Sequence, residues 1–192
     1  MALQLGINGF GRIGRLVFRA ILESERSDLK VVCINDLGAA KDNAHLLKYD
    51  SVHGPLPMDV TVDGGTMDAG QGPIRVIAER DPGKLPWAEM GVDLALECTG
   101  LFASRDASAK HLEAGAKKVL ISAPASGADL TVVYGVNHDR LGAEHDVISN
   151  ASCTTNCLAP VAHVLNQAVG IERGFMTTIH SFTGDQRTVD TL

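Results

Sequence analysis

Apolar and polar positions follow two rhythms along this chain. Leu3 to Asn8 is a short apolar run closing on glycines, as a buried strand does. From Phe10 to Glu23 the apolar residues Phe10, Ile13, Leu16, Val17, Ala20 and Ile21 share one helical face. Val31 to Asn35 is a second apolar strand, closed by Asp36, and residues 42–49 read as a helix before a Gly/Pro-rich loop from Ser51 to Pro57. Met58 to Val62 and Ile74 to Ala78 alternate at period two around Asp63-Gly64-Gly65, which predicts an antiparallel excursion inserted into a parallel fold. Val92 to Cys98 is another apolar strand. Ser104 is the predicted N-cap of a helix running to Ala114, with Gly115 just past its end. Val119 to Ser122, Thr131 to Val136 and Val147 to Ser149 supply three more short strands. A helix from about Ser152 to Ala168 and a strand from Gly174 to Ser181 complete the pattern.

Strand and helix alternate through residue 150, which predicts an α/β domain built on a mostly parallel sheet with helices on both faces. Residues 1–150 form that domain in this reading, and residues 151–192 begin a second unit that is too short to bury a core alone. Composition agrees: 45% hydrophobic and 21% charged residues are enough for a real core in 192 residues. The net charge of −6 argues against a nucleic-acid partner, whose phosphates need clustered Lys and Arg. The N-terminus has glycines where a secretory signal needs an apolar core, and no run approaches a membrane span. Four cysteines, at 33, 98, 153 and 157, lie in unrelated contexts, so a reducing, cytoplasmic setting is expected.

The first chemical constellation is G-F-G-R-I-G at 9–14, a G-x-G-x-x-G match. With 20 glycines in the chain the pattern alone is weak, but it follows a predicted strand and opens a predicted helix. An acid, Asp36, ends the next strand 22 residues after Gly14. Gly9 permits a tight turn, Gly11 lets the backbone approach a pyrophosphate, and Gly14 allows close helix–sheet packing. The helix N-terminus then attracts the phosphates. Asp36 accepts hydrogen bonds from adenosine ribose hydroxyls and repels a 2′-phosphate, which favours NAD over NADP.

The second constellation is S-N-A-S-C-T-T-N-C at 149–157. C-x₃-C with one distant histidine falls short of a structural zinc set, so no metal is expected. Cysteines at i and i+4 of one helix point the same way, a poor geometry for a disulfide. Two structural thiols or one nucleophile remain. With Ser152 as N-cap, Cys153 sits in the first helical turn, where free N–H groups favour a thiolate. Cys157 lies a turn deeper, beyond that help, and is read as a packing residue. A thiol nucleophile needs a base. Of seven histidines, His180 is the best placed, at the end of the apolar run M-T-T-I-H-S, but spacing alone does not bring it to Cys153.

With these residues in place the chain resembles phosphorylating glyceraldehyde-3-phosphate dehydrogenases. The resemblance rests on I-N-G-F-G-R-I-G-R (7–15), I-N-D (34–36), E-R-D-P (79–82), T-G-L-F (99–102) and I-S-A-P (121–124). It is carried further by S-N-A-S-C-T-T-N-C-L-A-P (149–160) and T-T-I-H-S-F-T-G-D-Q (177–186), so it covers essentially the whole chain. It implies a Rossmann-type doubly wound parallel sheet followed by the start of an α+β catalytic domain. It implies NAD-dependent oxidation of glyceraldehyde 3-phosphate, with inorganic phosphate as second substrate. Cys153 would attack the aldehyde and His180 would act as base. Gly9, Gly11, Arg12, Ile13, Gly14, Asp36, Arg80 and Ser122 match cofactor-contacting positions. Ser152, Thr154 and Thr183 match positions that bind the substrate or its phosphates. For the full-length enzyme the resemblance implies a homotetramer.

The family's catalytic domain continues well beyond Leu192, and with it the rest of the second sheet and further phosphate-binding residues. The 192-residue chain by itself is therefore expected to bind NAD weakly and to turn over negligibly. Two other readings stay open: erythrose-4-phosphate dehydrogenase, which shares nucleophile, base and cofactor, and a catalytically inactive nucleotide-binding fragment.

Overall fold

The computed structural model describes residues 2–24 and 26–181. Strands are β1 (Leu3–Asn8), β2 (Leu29–Asn35), β3 (Tyr49–Asp50), β4 (Gly54–Pro55), β5 (Thr61–Asp63), β6 (Thr66–Asp68), β7 (Ile74–Ile77), β8 (Leu94–Glu97), β9 (Lys118–Ile121), β10 (Leu130–Thr131) and β11 (Val147–Ser149). Helices are α1 (Arg12–Glu23), α2 (Ala40–Lys48), α3 (Trp87–Met90), α4 (Arg105–Glu113) and α5 (Cys153–Val169).

Nine strands form one sheet in the order β10-β11-β9-β8-β1-β2-β7-β6-β5, while β3 and β4 pair separately. From β7 across to β10 every neighbouring pair is parallel; β5 and β6 are antiparallel to their neighbours. After β1 the chain winds out through β2 to β7, then returns to β8 on the other side of β1. That reversal puts the topological switch point between the C-terminal ends of β1 and β8, where doubly wound sheets bind ligands. This is the Rossmann-type, mostly parallel α/β sheet with the start of a second unit after it.

Burial on both faces explains why the central strands read as continuous apolar runs. Leu5, Ile7, Val31, Ile34 and Leu96 pack with Phe10, Phe18 and Leu47 on one face. Cys33, Ala95, Val119, Ile121 and Val147 pack with Trp87 and Leu85 on the other. Gly6 makes room for the indole: a Cβ there would lie 2.7 Å from the Trp87 ring. Arg19 is buried in α1 and donates from both Nη atoms to the Gly54 carbonyl at 3.0 Å, tying the β4 loop to the helix.

Ser104 caps α4 by accepting from the Ala107 N–H, and Ser152 caps α5 by accepting from the Thr155 N–H. Other elements differ from the sequence reading. α1 starts at Arg12, two residues later than its apolar stripe, because Phe10 is spent inside the core. The antiparallel excursion has an extra strand: Gly64-Gly65 closes a β5–β6 hairpin, and β6 then pairs with β7. The predicted strand at 131–136 stops at Thr131, because Asn137 turns the chain by accepting from the Val133 N–H at 2.8 Å. No strand forms at 174–181. That apolar run has no neighbour to pair with among the described residues, and Phe175 and Ile179 stand fully exposed.

Candidate functional site

The cleft lies over the C-terminal ends of β2, β1, β8 and β9 and has two lobes. The first, about 380 Å³, is lined by Gly9, Gly11, Asp36, Arg80 and Thr99 among others. The second, about 300 Å³, runs from Ile13 past Ser122 to Ser152 and Cys153. Cys98 lines both and marks the waist between them. Together they suit an elongated ligand better than a compact one.

The glycine turn is built as its spacing predicts. Gly9 has φ +89°, and a Cβ on it would lie 2.8 Å from the Thr99 backbone nitrogen, so the turn presses against the residues after β8. At Gly14 a Cβ would lie 2.1 Å from the Gly9 carbonyl oxygen, which fixes how closely α1 approaches β1. Gly11 differs: it caps α1 with no side chain, and a Cβ there would meet no atom within 4 Å. The first turn of α1 therefore opens onto free space with its N–H groups forward. Asp36 spans the turn, its Oδ2 accepting from the Phe10 N–H and its Oδ1 from the Gly38 N–H, both at 2.8 Å. Each oxygen keeps a second lone pair for an outside donor. An uncapped helix end facing a cleft, with a carboxylate beside it, fits a dinucleotide whose pyrophosphate lies at α1 and whose ribose meets Asp36.

Arg80 is exposed at the rim of the first lobe. The Arg12 guanidinium is paired with Asp50, whose carboxylate also accepts the Val52 and His53 N–H groups at 2.9 Å. Those backbone donors, with Arg12, hold the Asp50 carboxyl well below the usual carboxylate range. Asp50 escaped the sequence reading, since its link to Arg12 is purely tertiary.

At the far end Cys153 opens α5, exposed, with its Sγ 3.1 Å from His180 Nε2. His180 Nδ1 faces the Ser181 carbonyl, which only accepts, so Nδ1 carries the hydrogen and Nε2 presents its lone pair to the thiol. The bond to His180, with further help from the Thr154 hydroxyl and N–H, holds the Cys153 thiol below its ordinary value. The Ser181 carbonyl and then Cys153 hold His180 above its own. Asn156 donates to the Asn150 and Ser152 carbonyls at 2.8 and 2.9 Å and pins this end of the helix.

The other thiols behave oppositely. Burial pushes Cys98 up to about 11 and Cys33 up to about 12. Cys157 is exposed rather than packed, because none of the residues of α5 is buried. Thr154 lines a groove with Cys153 and residues 176–180, while Thr183 lies outside the described residues. Asn8, Asn35, Glu79 and Thr99 also line the first lobe. The signal that could have found Asn8 and Asn35 is a polar residue closing an apolar strand.

Fold and cleft together define a Rossmann-type, dinucleotide-binding protein with a thiol–imidazole pair at the end of its cleft. Residues 3–105 match the family model for the NAD binding domain of glyceraldehyde 3-phosphate dehydrogenase, and residues 152–192 match that for its C-terminal domain. The chain belongs to the glyceraldehyde 3-phosphate dehydrogenase family, and its cofactor is NAD. Glyceraldehyde-3-phosphate dehydrogenase of Xanthobacter flavus is 67% identical over 100% of this chain, which spans 57% of that protein. The proteins of the same name from Cereibacter sphaeroides and Zymomonas mobilis are 61% and 58% identical, again over 100% of this chain and 57% of theirs. The chain thus spans little more than half the length of these relatives.

Proposed function

We propose that this chain supplies the cofactor site and the reacting thiol of an NAD-dependent enzyme that oxidises glyceraldehyde 3-phosphate to the acyl phosphate in glycolysis. In this reading residues 1–150 are the nucleotide domain and residues 151–192 the beginning of the catalytic domain. The observation that carries it is the 3.1 Å Cys153–His180 pair at the capped end of α5, opening on a cleft continuous with the glycine turn.

Gly9, Gly11, Arg12, Ile13 and Gly14 would hold the pyrophosphate, Asp36 the adenosine ribose, and Arg80 and Ser122 the flanks. Bound NAD supplies the hydride acceptor. Cys153 gives its proton to His180 and its sulfur adds to the aldehyde carbon, forming the C–S bond of a hemithioacetal whose oxygen takes that proton back from the imidazolium and frees His180 as a base. His180 takes the hydroxyl proton as that carbon is oxidised, leaving a thioester on Cys153. Inorganic phosphate then attacks the thioester carbon, the C–S bond breaks, and Cys153 leaves as thiolate. Ser152, Thr154 and Thr183 offer hydroxyls for the phosphates. A homotetramer in the cytoplasm completes the reading; no helix among the described residues is long and apolar enough to cross a membrane.

The test is NADH formation by a protein of the relatives' full length that carries this sequence. The reading expects it to need glyceraldehyde 3-phosphate and inorganic phosphate together and to vanish in Cys153→Ser. A faster reaction with erythrose 4-phosphate, or NADH formation indifferent to Cys153, would overturn it. The 192-residue chain alone is expected to turn over negligibly.

A further inference from the structure

We propose that Glu97, which lies under the cleft and does not line it, is a positioning residue that sets the two strand ends between which the dinucleotide crosses the sheet. The proposal rests on the cleft being the NAD site. Glu97 ends β8 and is 1% exposed. Its Oε2 accepts from Asn8 Nδ2 at 2.6 Å and faces His111 Nε2 at 3.0 Å. Its Oε1 accepts from the Thr99 N–H at 2.8 Å and from the Thr99 hydroxyl.

Every one of these neighbours is a donor, including His111. Trp87 Nε1–H can only donate, and it points at His111 Nδ1 from 2.9 Å. Nδ1 therefore accepts, which leaves the hydrogen on Nε2, toward Glu97. A side chain here must accept four times and donate nothing, and among the amino acids of this size only a carboxylate does so. Glutamine has the same shape but would aim an NH₂ at two donors.

From Glu97 the order runs to the cleft by two routes. Asn8, held by Glu97, accepts from Asn35 Nδ2 at 2.7 Å, and Asn35 in turn exchanges two 2.8 Å bonds with the Glu79 backbone. Asn8, Asn35 and Glu79 are the floor of the first lobe across β1, β2 and the end of β7. The second route is Thr99, against which the Gly9 turn is seated at 2.8 Å for a hypothetical Cβ. Both sides of the phosphate turn are thus referred to one carboxylate. Burying a charge and several amides at adjacent strand ends is expensive if stability is the sole return. A buried network in which every donor has its acceptor fixes a single arrangement, which a preformed site requires.

Amide-resolved NMR of the 192-residue chain, with and without added NAD, tests this. In Glu97→Gln the ligand-free Asn8 side-chain and Thr99 backbone resonances should move, and NAD should bind on the order of tenfold more weakly. Asn8→Ala should cost less affinity in the Glu97→Gln background than alone, since both act through one network. His111 sits on α4 behind the sheet and supplies a second pair of variants should Glu97→Gln fail to fold. His111→Gln can donate to Glu97 and accept from Trp87, so it should keep NAD affinity, whereas His111→Ala should lose several-fold. Unmoved Asn8 and Thr99 resonances, wild-type affinity in Glu97→Gln, or equal affinities in the two His111 variants would overturn the proposal. Failure of the wild-type chain to bind NAD at all would instead overturn the reading of the cleft, and the ligand-free resonances separate the two failures.

Discussion

The sheet and the helix that follows it are held in place by different means. Between β1 and β11, large side chains such as Phe10, Phe18 and Trp87 are wholly buried. α5 is the longest helix described, yet it buries none of its residues, and Val161, Val164, Leu165 and Val169 are at least half exposed. The cofactor cleft therefore stands on a finished core, while the thiol–imidazole pair stands on local devices: the Ser152 cap, Asn156 clamping two carbonyls, and the Cys153–His180 contact. Binding geometry can be preformed in such a chain before the chemical half is enclosed. The contrast is sharpest when equal insults are given to both regions. Phe18→Ala should lower stability by about 3–5 kcal/mol in urea unfolding, through lost burial and the cavity left behind. Val164→Ala on α5 should change it by less than about 0.5 kcal/mol. Similar values for the two would mean that α5 packs on the sheet after all.

The thiols carry the same contrast into chemistry. Cys98, pushed up to about 11 by burial, has almost no thiolate at neutral pH, whereas Cys153 is held below its ordinary value by His180. Iodoacetamide at pH ~7 should label Cys153 on the order of 100-fold faster than Cys98, followed by peptide mass spectrometry. The sign of the pH effect follows from the pair: the thiolate forms at lower pH than in a free cysteine, and the facing imidazolium persists to higher pH. His180→Ala should move the labelling curve of Cys153 toward the ordinary thiol value of ~8.5, slowing it at neutral pH and not at pH ~10. An unchanged curve would show that the helix end alone lowers the thiol.

Local features of both regions were legible in the sequence, and the cross-chain ones were not. The buried strands β1, β8, β9 and β11 announce themselves because burial on both faces leaves no polar alternation to misread. Gly9, Gly14 and Asp36 are legible because turn, packing and acid are coded by spacing along one stretch. Ser152 and Cys153 are legible because capping is local. Glu97 was not: it sits inside the apolar run Val92 to Cys98, and nothing nearby reveals that His111 and Asn8 converge on it. Residues 174–181 mislead in the other direction, since an apolar run states that a strand could be buried and not whether a neighbour exists to pair with it.

The glycines separate structure from binding within one turn. Gly14→Ala places a Cβ 2.1 Å from the Gly9 carbonyl, so the turn must shift. It should cost about 1–3 kcal/mol of stability and abolish measurable NAD binding. Gly11→Ala meets no atom within 4 Å and has φ −70°, so the fold should melt within a few degrees of wild type while NAD binding weakens. Thermal melts with NAD titrations would check both. Equal loss of stability in the two variants would remove the distinction.

A last test lies at the edge of the sheet, away from the thiol. Asp129, just before β10, ties that edge strand to the start of β11: its carboxylate accepts from the Val147 and Asp146 N–H groups at 2.8 and 2.9 Å and from Arg105 at 2.7 Å. The Val147 bond first, then Arg105, lower its carboxyl to about 2. A depressed carboxyl contributes stability that is present above the ordinary value of ~3.9 and is lost as pH falls through the folded value. Asp129→Ala should therefore cost about 1–2 kcal/mol at pH ~7, and the gap to wild type should close between pH ~4 and ~2. The labelling rate of Cys153 should not move, because the N-terminal end of α5 hangs from β9 through the Asn150 N–H to the Ile121 carbonyl at 2.9 Å and not from the Asp129 edge. If that rate fell in step with stability, the thiol would depend on the sheet edge, and the separation of the two regions would fail.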